Sequence, residues 1–344
     1  MPELLSDHTT LRLGGPAADF VEATTEKDLV AAVAEADAAG IPILVLGGGS
    51  NLVVSDAGFA GRVVHVATRG VRADADCPDD LGCLGAVTVV AAAGESWDGL
   101  VARAVESQWV GIEALSGIPG LVGATPIQNV GAYGQDVGQT IAQVRTWDRV
   151  DRTQRTFAAA DCGFGYRTSR FKAEPDRYVV LEVTFLMRMG TLSAPLAYAE
   201  LAARLGQPVE GRALLAEVRR AVLDLRSGKG MVLDPADHDT WSAGSFFTNP
   251  VVAPAALPDG APAWPQPDGL VKTSAAWLID RAGFTRGYTS GHVGLSTKHP
   301  LALTNRGSAS TEELVDLART VRDGVRRVHG IDLVPEPVLV GVSL

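Results

Sequence analysis

The residues of this chain that could do chemistry fall into a few short stretches. Gly47-Gly48-Gly49-Ser50-Asn51 follows directly on the apolar run Ile41–Leu46. Consecutive glycines let backbone amides converge on an anion, and no Cβ keeps a pyrophosphate at a distance. A tight turn would use the same residues, so this stretch alone reads equally as phosphate cradle or as turn. It is not a dinucleotide fingerprint, because Leu52 stands where the third glycine is needed and Leu52-Val53-Val54 reads as strand. Nor is it a P-loop, since no Gly-Lys-Ser/Thr follows. Residues 116–134 then bring Gly117, Gly120, Gly123, Gly131 and Gly134 among Ser116, Thr125, Gln128 and Asn129. Ordering so many glycines costs conformational entropy that a packed ligand can offset. Two such segments with neutral polar side chains suit a large diphosphate cofactor; the bland alternative is an ordinary long loop.

Three further stretches carry ionisable or proton-bearing groups. Gly165-Tyr166-Arg167-Thr168-Ser169-Arg170-Phe171-Lys172 places three cations within six residues, either an anion site or a solvated basic turn. Ala243-Gly244-Ser245-Phe246 lacks the G-x-S-x-G of a hydrolase elbow, leaving Ser245 as a buried turn hydroxyl or a proton donor. Glu336 sits between Pro335 and Pro337 beside the apolar run Val338–Val342, a rigid carboxylate or an innocent chain end. The histidines (His8, His65, His238, His292, His299, His329) show no H-x-x-x-H or H-E-x-x-H spacing, so no metal site is expected. Cys77, Cys83 and Cys162 form no C-x-x-C pair, which predicts inert free thiols in a reducing compartment.

The elements that must position these residues are of mixed type. Phe20–Ala23 reads as strand, and Thr25-x-x-Asp28 caps a helix carrying Leu29, Val33 and Ala36 as far as Gly40. Val63–Val66 and Ala86–Ala93 read as strands, and Ser96 caps a helix with Leu100, Val101 and Ala104. Ile141–Val150 and Arg155–Ala159 form a hairpin, and Tyr178–Met189 alternates as a long strand with one buried face. Residues 209–226 read as amphipathic helix, and 253–269, with five prolines, as an irregular loop. Ser310-x-x-Glu313 opens a last helix with Leu314, Leu317, Val321 and Val325, stopped by Gly330. The acidic residues Asp74–Asp80 read as a solvated excursion. There is no internal repeat, and the class is α+β.

With 344 residues, 46% hydrophobic and 20% charged, the chain can bury the cores of two or three domains and is not disordered. Its 30 Lys+Arg against 40 Asp+Glu leave a net charge of −10, which repels phosphate backbones and disfavours nucleic acid as a partner. No apolar run reaches the ~18–20 residues of a membrane span. The opening MPELLSDHTTLRLGG has neither the basic nor the apolar region of a signal peptide. A cytoplasmic protein without membrane, nucleic-acid or obligate protein partner is expected.

Taken together, GGGSNLVVSD (47–56), GIEALSGIPGLVGATPIQNVGAYGQDV (111–137), CGFGYRTSRFK (162–172), AGSFFTNPVV (243–252), AAWLIDRAGF (275–284) and PEP (335–337) resemble the UDP-N-acetylenolpyruvoylglucosamine reductase (MurB) family. They come in that family's order and cover nearly the whole chain, and PLAYAEL (195–201) is similar to the tyrosine loop of its longer type. The resemblance implies a cytoplasmic oxidoreductase of peptidoglycan precursor synthesis, and so of cell-wall biogenesis, cell shape and division. NADPH and FAD would reduce UDP-N-acetylglucosamine enolpyruvate to UDP-N-acetylmuramate. The implied fold is the vanillyl-alcohol-oxidase/PCMH type, two α+β FAD-binding subdomains and a C-terminal α+β substrate domain. Residues 1–70 with 331–344 would form the first, 71–225 the second and 226–330 the third.

Carried over by motif, Gly47, Gly48, Gly49, Ser50 and Asn51 would hold the FAD pyrophosphate. Ser116, Gly117, Ile118, Gly123, Ala124, Gln128, Gly131 and Ala132 would contact the same cofactor, non-covalently, since no histidine adjoins either stretch. Arg167 and Glu336 would stabilise an enolate-like intermediate and Ser245 would give it a proton. An ionised carboxylate would repel that intermediate, so Glu336 is expected to be protonated or to act through a water. Tyr166, Tyr198, Lys229, Asn249 and His299 would bind substrate, with Tyr198 and Lys229 on its diphosphate. The competing readings are a sugar or lactone oxidase of the same superfamily, and a non-catalytic nucleotide-sugar sensor.

Overall fold

The computed structural model describes residues 2–74 and 85–344. Most of the acidic stretch at 72–83, with Cys77 and Cys83, lies outside the described residues. The chain divides into two compact units, one of residues 19–47 and 61–227, the other of 1–18, 48–60 and 228–344.

The 19–47/61–227 unit is built on two sheets. In the first, the 59–66 strand lies between 17–23 and 43–46, and pairs in parallel with 43–46. Helix Glu26–Ala39 leads into it: Thr25 accepts from the Asp28 N–H at its start, and Gly40 closes it in the left-handed conformation. The second sheet runs 153–158, 141–148, 178–189, 86–92, 71–74, every pair antiparallel. Its central strand, Tyr178–Met189, is buried on both faces from Val179 to Leu181 and from Val183 to Phe185. The one-sided burial expected from its alternation is corrected. Neighbours flank it on both edges, and apolar side chains cover both surfaces over these residues. Leu29, Val33, Val64, Trp97, Leu100, Val183 and Phe185 share one core. The helix expected over 209–226 begins only at Leu215. Residues 211–214 are extended instead, because Ser193 N–H and Leu196 N–H donate to the Ala213 and Gly211 carbonyls.

The second unit holds the sheet 242–245, 302–305, 293–295, 289–290 against helix Thr311–His329. Ser310 and Glu313 form the expected capping box, and Gly330 ends the helix with φ +69°. Leu278, Ile279, Leu303, Leu314, Val321 and the pair Phe246–Phe247 fill the core. Val338–Val340 pairs in parallel with Leu52–Val54. The proline-rich stretch is more regular than expected: Ala263–Pro265 pairs with Val271–Thr273 as an outer strand of a three-stranded sheet. Proline is tolerated there because an outer strand needs fewer ladder donors.

Candidate active site

Each unit carries part of the predicted site. In the first, Gly47 ends the 43–46 strand, and a Cβ built on it would meet nothing nearer than the Leu121 side chain at 3.8 Å. Packing within the unit therefore does not require glycine here, and the position is open to a group from outside it. Gly123 differs. A Cβ there would lie 2.5 Å from that of Ala93, so close packing on the 86–92 strand end demands glycine. The amides of Gly117, Gly123 and Ala124 are donated within the protein, to Asp98 Oδ1 (2.6 Å), the Ala93 carbonyl (2.9 Å) and the Leu121 carbonyl (3.1 Å). These three cannot form the amide nest expected of the second glycine stretch, and any contact they make with a cofactor is of another kind. Ser116 is buried with its hydroxyl on the Glu113 carbonyl. Ile118 packs at the edge of the main core, Gln128 precedes Asn129, and Gly131–Ala132 pairs with Gln135–Asp136 in a small hairpin.

Asn129 joins that stretch to the basic motif: its amide donates to the Gly165 carbonyl at 3.1 Å and its oxygen accepts from Gly138 N–H at 2.9 Å. Gly165 and Thr168 bond reciprocally across a tight turn, which puts Arg167 at φ +55°. A non-glycine residue in that region carries strain of ~1–2 kcal/mol, which persists where the surroundings impose it, as they often do at functional sites. The Arg167 guanidinium lies 5.8 Å from the Tyr166 ring centre. Tyr166 and Tyr198 are 55% and 45% exposed, and Tyr198 stands edge-on to Tyr133 at 5.4 Å.

Arg226, which the sequence reading passed over, belongs to this group. Burial lowers its pKa and Arg167 adds to the effect, while Tyr133 and Asp98 favour its charge. An arginine stays charged all the same, so two guanidiniums, Arg167 and Arg226, act on one another beside an aromatic pair. The available signal was its place three residues before Lys229, at the end of an amphipathic helix. Cys162 is buried and its thiol is pushed up to about 11, chiefly by desolvation, which leaves it protonated and without a nucleophilic role.

In the second unit, Gly49 takes φ +58°, and a Cβ there would run into the His8 carbonyl. Asn51 donates through Nδ2 to the Glu336 carbonyl at 3.4 Å, and its own carbonyl accepts from Val338 N–H at 2.9 Å. Glu336 N–H in turn donates to the Phe246 carbonyl at 2.9 Å. The unit thereby gathers Gly48–Asn51, the Ser245 segment and Glu336. Ser245 ends a strand whose register with 302–305 is broken, with Gly244 at φ +74°. Such irregularities re-aim a side chain. Ser245 Oγ lies 3.2 Å from His299 Nε2. The turn bearing His299 is fixed from below: its N–H donates to Ser296 Oγ, which donates to the buried Asp239, itself paired with Arg306 at 3.1 Å. Asn249 Oδ1 accepts from Ala275 N–H at 3.0 Å, at the start of helix Ala275–Arg281. Lys229 follows directly on helix Leu215–Gly228.

Residues 17–156 match the model of an FAD binding domain, and 234–340 that of the UDP-N-acetylenolpyruvoylglucosamine reductase C-terminal domain. The chain is 60% identical over 343 residues to the UDP-N-acetylenolpyruvoylglucosamine reductase of Cutibacterium acnes, covering 99% of this chain and 90% of that one. It is 54% identical over 354 residues to that of Streptomyces coelicolor, covering 99% and 90%. The crystal structure of the Thermus caldophilus reductase superposes with a TM-score of 0.67 at 25% identity, over 99% of this chain and 98% of the other. Full-length identity at this level, with the family's motifs in order, makes the chain a member of the UDP-N-acetylenolpyruvoylglucosamine reductase (MurB) family.

Proposed function

We propose that this chain reduces UDP-N-acetylglucosamine enolpyruvate to UDP-N-acetylmuramate with NADPH, in the cytoplasm, for peptidoglycan precursor synthesis. The observation that carries the reading is the Ser245–His299 pair, set in the same unit as Glu336 and the Gly48–Asn51 loop. FAD, which the open position at Gly47 fits, would supply the hydride chemistry between NADPH and the β carbon of the enol ether. Gly47, Gly48, Gly49, Ser50 and Asn51 would hold its pyrophosphate, with Ser116, Ile118, Gln128, Gly131 and Ala132 lining the rest. Residues 1–70 with 331–344, 71–225 and 226–330 would then be two flavin subdomains and a substrate domain.

The chain's own groups supply what the hydride transfer leaves undone. Addition to the β carbon places negative charge on the substrate carboxylate. Arg167, carried on its tight turn, meets it with a planar fork, and Glu336, protonated or acting through a water, offers a second contact. Ser245 Oγ–H gives its proton to the α carbon, and His299, donating Nε2–H to Oγ, leaves that proton free for the transfer and stabilises the alkoxide that forms until solvent reprotonates it. Tyr166 and Asn249 face the sugar and enolpyruvyl end, while Tyr198 and Lys229 take the diphosphate.

The test is NADPH oxidation by the purified protein with and without UDP-N-acetylglucosamine enolpyruvate. Absorbance near ~450 nm, bleached by NADPH and restored by that substrate, is the expected result. Restoration by oxygen alone at the same rate would make the protein an oxidase. Colourless protein that binds the nucleotide sugar would make it a sensor.

A further inference from the structure

Glu113 is a carboxylate that none of this chemistry uses, and it is 1% exposed. Burying such a group is costly unless donors replace its lost hydration. Three do so. Gly111 N–H reaches Oε2 at 2.7 Å, and Gln135 Nε2 and Ala194 N–H reach Oε1 at 3.0 and 2.7 Å. Gln135 completes the arrangement by accepting Ala114 N–H on its Oε1 at 2.8 Å. The Glu113 backbone carbonyl takes the Ser116 hydroxyl at 2.7 Å. One residue thus joins three segments: the start of the glycine-rich stretch, the 131–136 hairpin, and the strap Ala194–Tyr198.

The strap packs where these bonds put it. Ala197 lies over Gly134, whose missing Cβ would come within 2.9 Å of the alanine's, and Tyr198 stands edge-on to Tyr133. A side-chain amide could not replace the carboxylate, because all three partners are donors and an amide offers one accepting oxygen. We propose that Glu113 is a positioning residue for nucleotide-sugar binding: it fixes the Ala194–Tyr198 strap to the glycine-rich stretch and so sets the place at which Tyr198 meets substrate. This rests on the reading of Tyr198 as a substrate contact.

The exchange Glu113→Gln with Gln135→Glu tests it in the holoenzyme. The new carboxylate at position 135 still accepts Ala114 N–H and needs a donor from position 113, so the new amide there must turn its NH2 toward it. The amide oxygen then serves Gly111, and Ala194 N–H faces a second donor. Only the tie to the strap is broken. KM for UDP-N-acetylglucosamine enolpyruvate should rise about tenfold, the scale of one buried hydrogen bond. FAD content and the rate of flavin reduction by NADPH should stay as in the parent protein. An unchanged KM overturns the proposal, as does a loss of FAD alongside a raised KM, which would mark a general structural role. Glu113→Gln alone can turn its oxygen to Ala194 and sacrifice Gly111, so it should raise KM less than the exchange does; the reverse order overturns the assignment. Hydrogen exchange on the parent holoenzyme gives a readout independent of turnover. The Ala194 amide should be protected, and exchange at the rate of open loop would sink the idea. Tyr198→Ala should raise KM, and the exchange should add nothing to it. If Tyr198→Ala leaves KM unchanged, the Tyr198 reading fails and takes the proposal with it. If it raises KM while the exchange does not, the positioning role fails alone.

Discussion

Replacing Ser245 by alanine removes one oxygen atom and separates two accounts of that residue. Flavin reduction by NADPH requires no proton at the substrate, so in Ser245→Ala it should stay within about threefold of the parent rate. Reoxidation by the enolpyruvyl substrate does require one, and loss of a placed general acid should slow it by roughly 10²–10⁴-fold. Ser245→Cys should recover part of this, since a thiol still carries a proton. Stopped-flow absorbance reads both steps, and equal slowing of the two would remove Ser245 from the chemistry. At this scale residue type and neighbours singled out a serine after glycine, an arginine in a basic turn and a glutamate between prolines but left the role of each open, and only the family resemblance gave them one. It was silent on Glu113 and Arg226. Their importance depends on Ala194 and Gln135 in one case and Arg167 and Tyr133 in the other, partners that only the folded chain brings near.

Helix Trp97–Glu106 reaches the glycine-rich stretch through Asp98, which accepts Gly117 N–H at 2.6 Å and both Arg219 nitrogens at 2.7 and 2.9 Å. Burial alone would raise the Asp98 carboxyl, but Arg219 and the Gly117 amide outweigh it and hold it below the ordinary 3.8. A carboxyl lowered on folding stabilises fully above its unfolded value, and that contribution is lost as pH falls through the folded one. Asp98→Asn should therefore lower the thermal midpoint at ~pH 7 and flatten its decline as pH falls below ~4. A variant with the parent's acid profile would show that the tie carries no weight. Elements were legible to the extent that their signals were local. Thr25, Ser96 and Ser310 mark helix starts through bonds to residues three positions on, and all three hold. Residues 209–214 misled because their apolar spacing matched a helix while Ser193 and Leu196, distant in sequence, claimed their carbonyls. The strand Ala263–Pro265 was hidden by its prolines, and only its partner Val271–Thr273 reveals it.

At the scale of the molecule, neither compact unit is a continuous piece of chain, because residues 1–18 and 48–60 belong with 228–344. Expressing residues 1–227 alone should leave those two segments without their unit. Limited proteolysis with mass spectrometry should then find cuts within 1–18 and 48–60 that the whole chain resists. Resistance at both would mean that they are held without residues 228–344. Composition and local patterning do not show this interleaving, since neither says which distant strand completes Leu52–Val54; only the family resemblance implied that 331–344 joins 1–70. The parallel partner of Leu52 is Val338, 286 positions further on. A ribosome adding ~5–20 residues per second needs roughly 15–60 s to travel that distance. Throughout that interval the nascent strand has no mate and its hydrogen-bonding edge stays open to other chains. Synthesis of this protein thus contains an obligatory waiting period, set by the distance along the chain between the two strands of one pair.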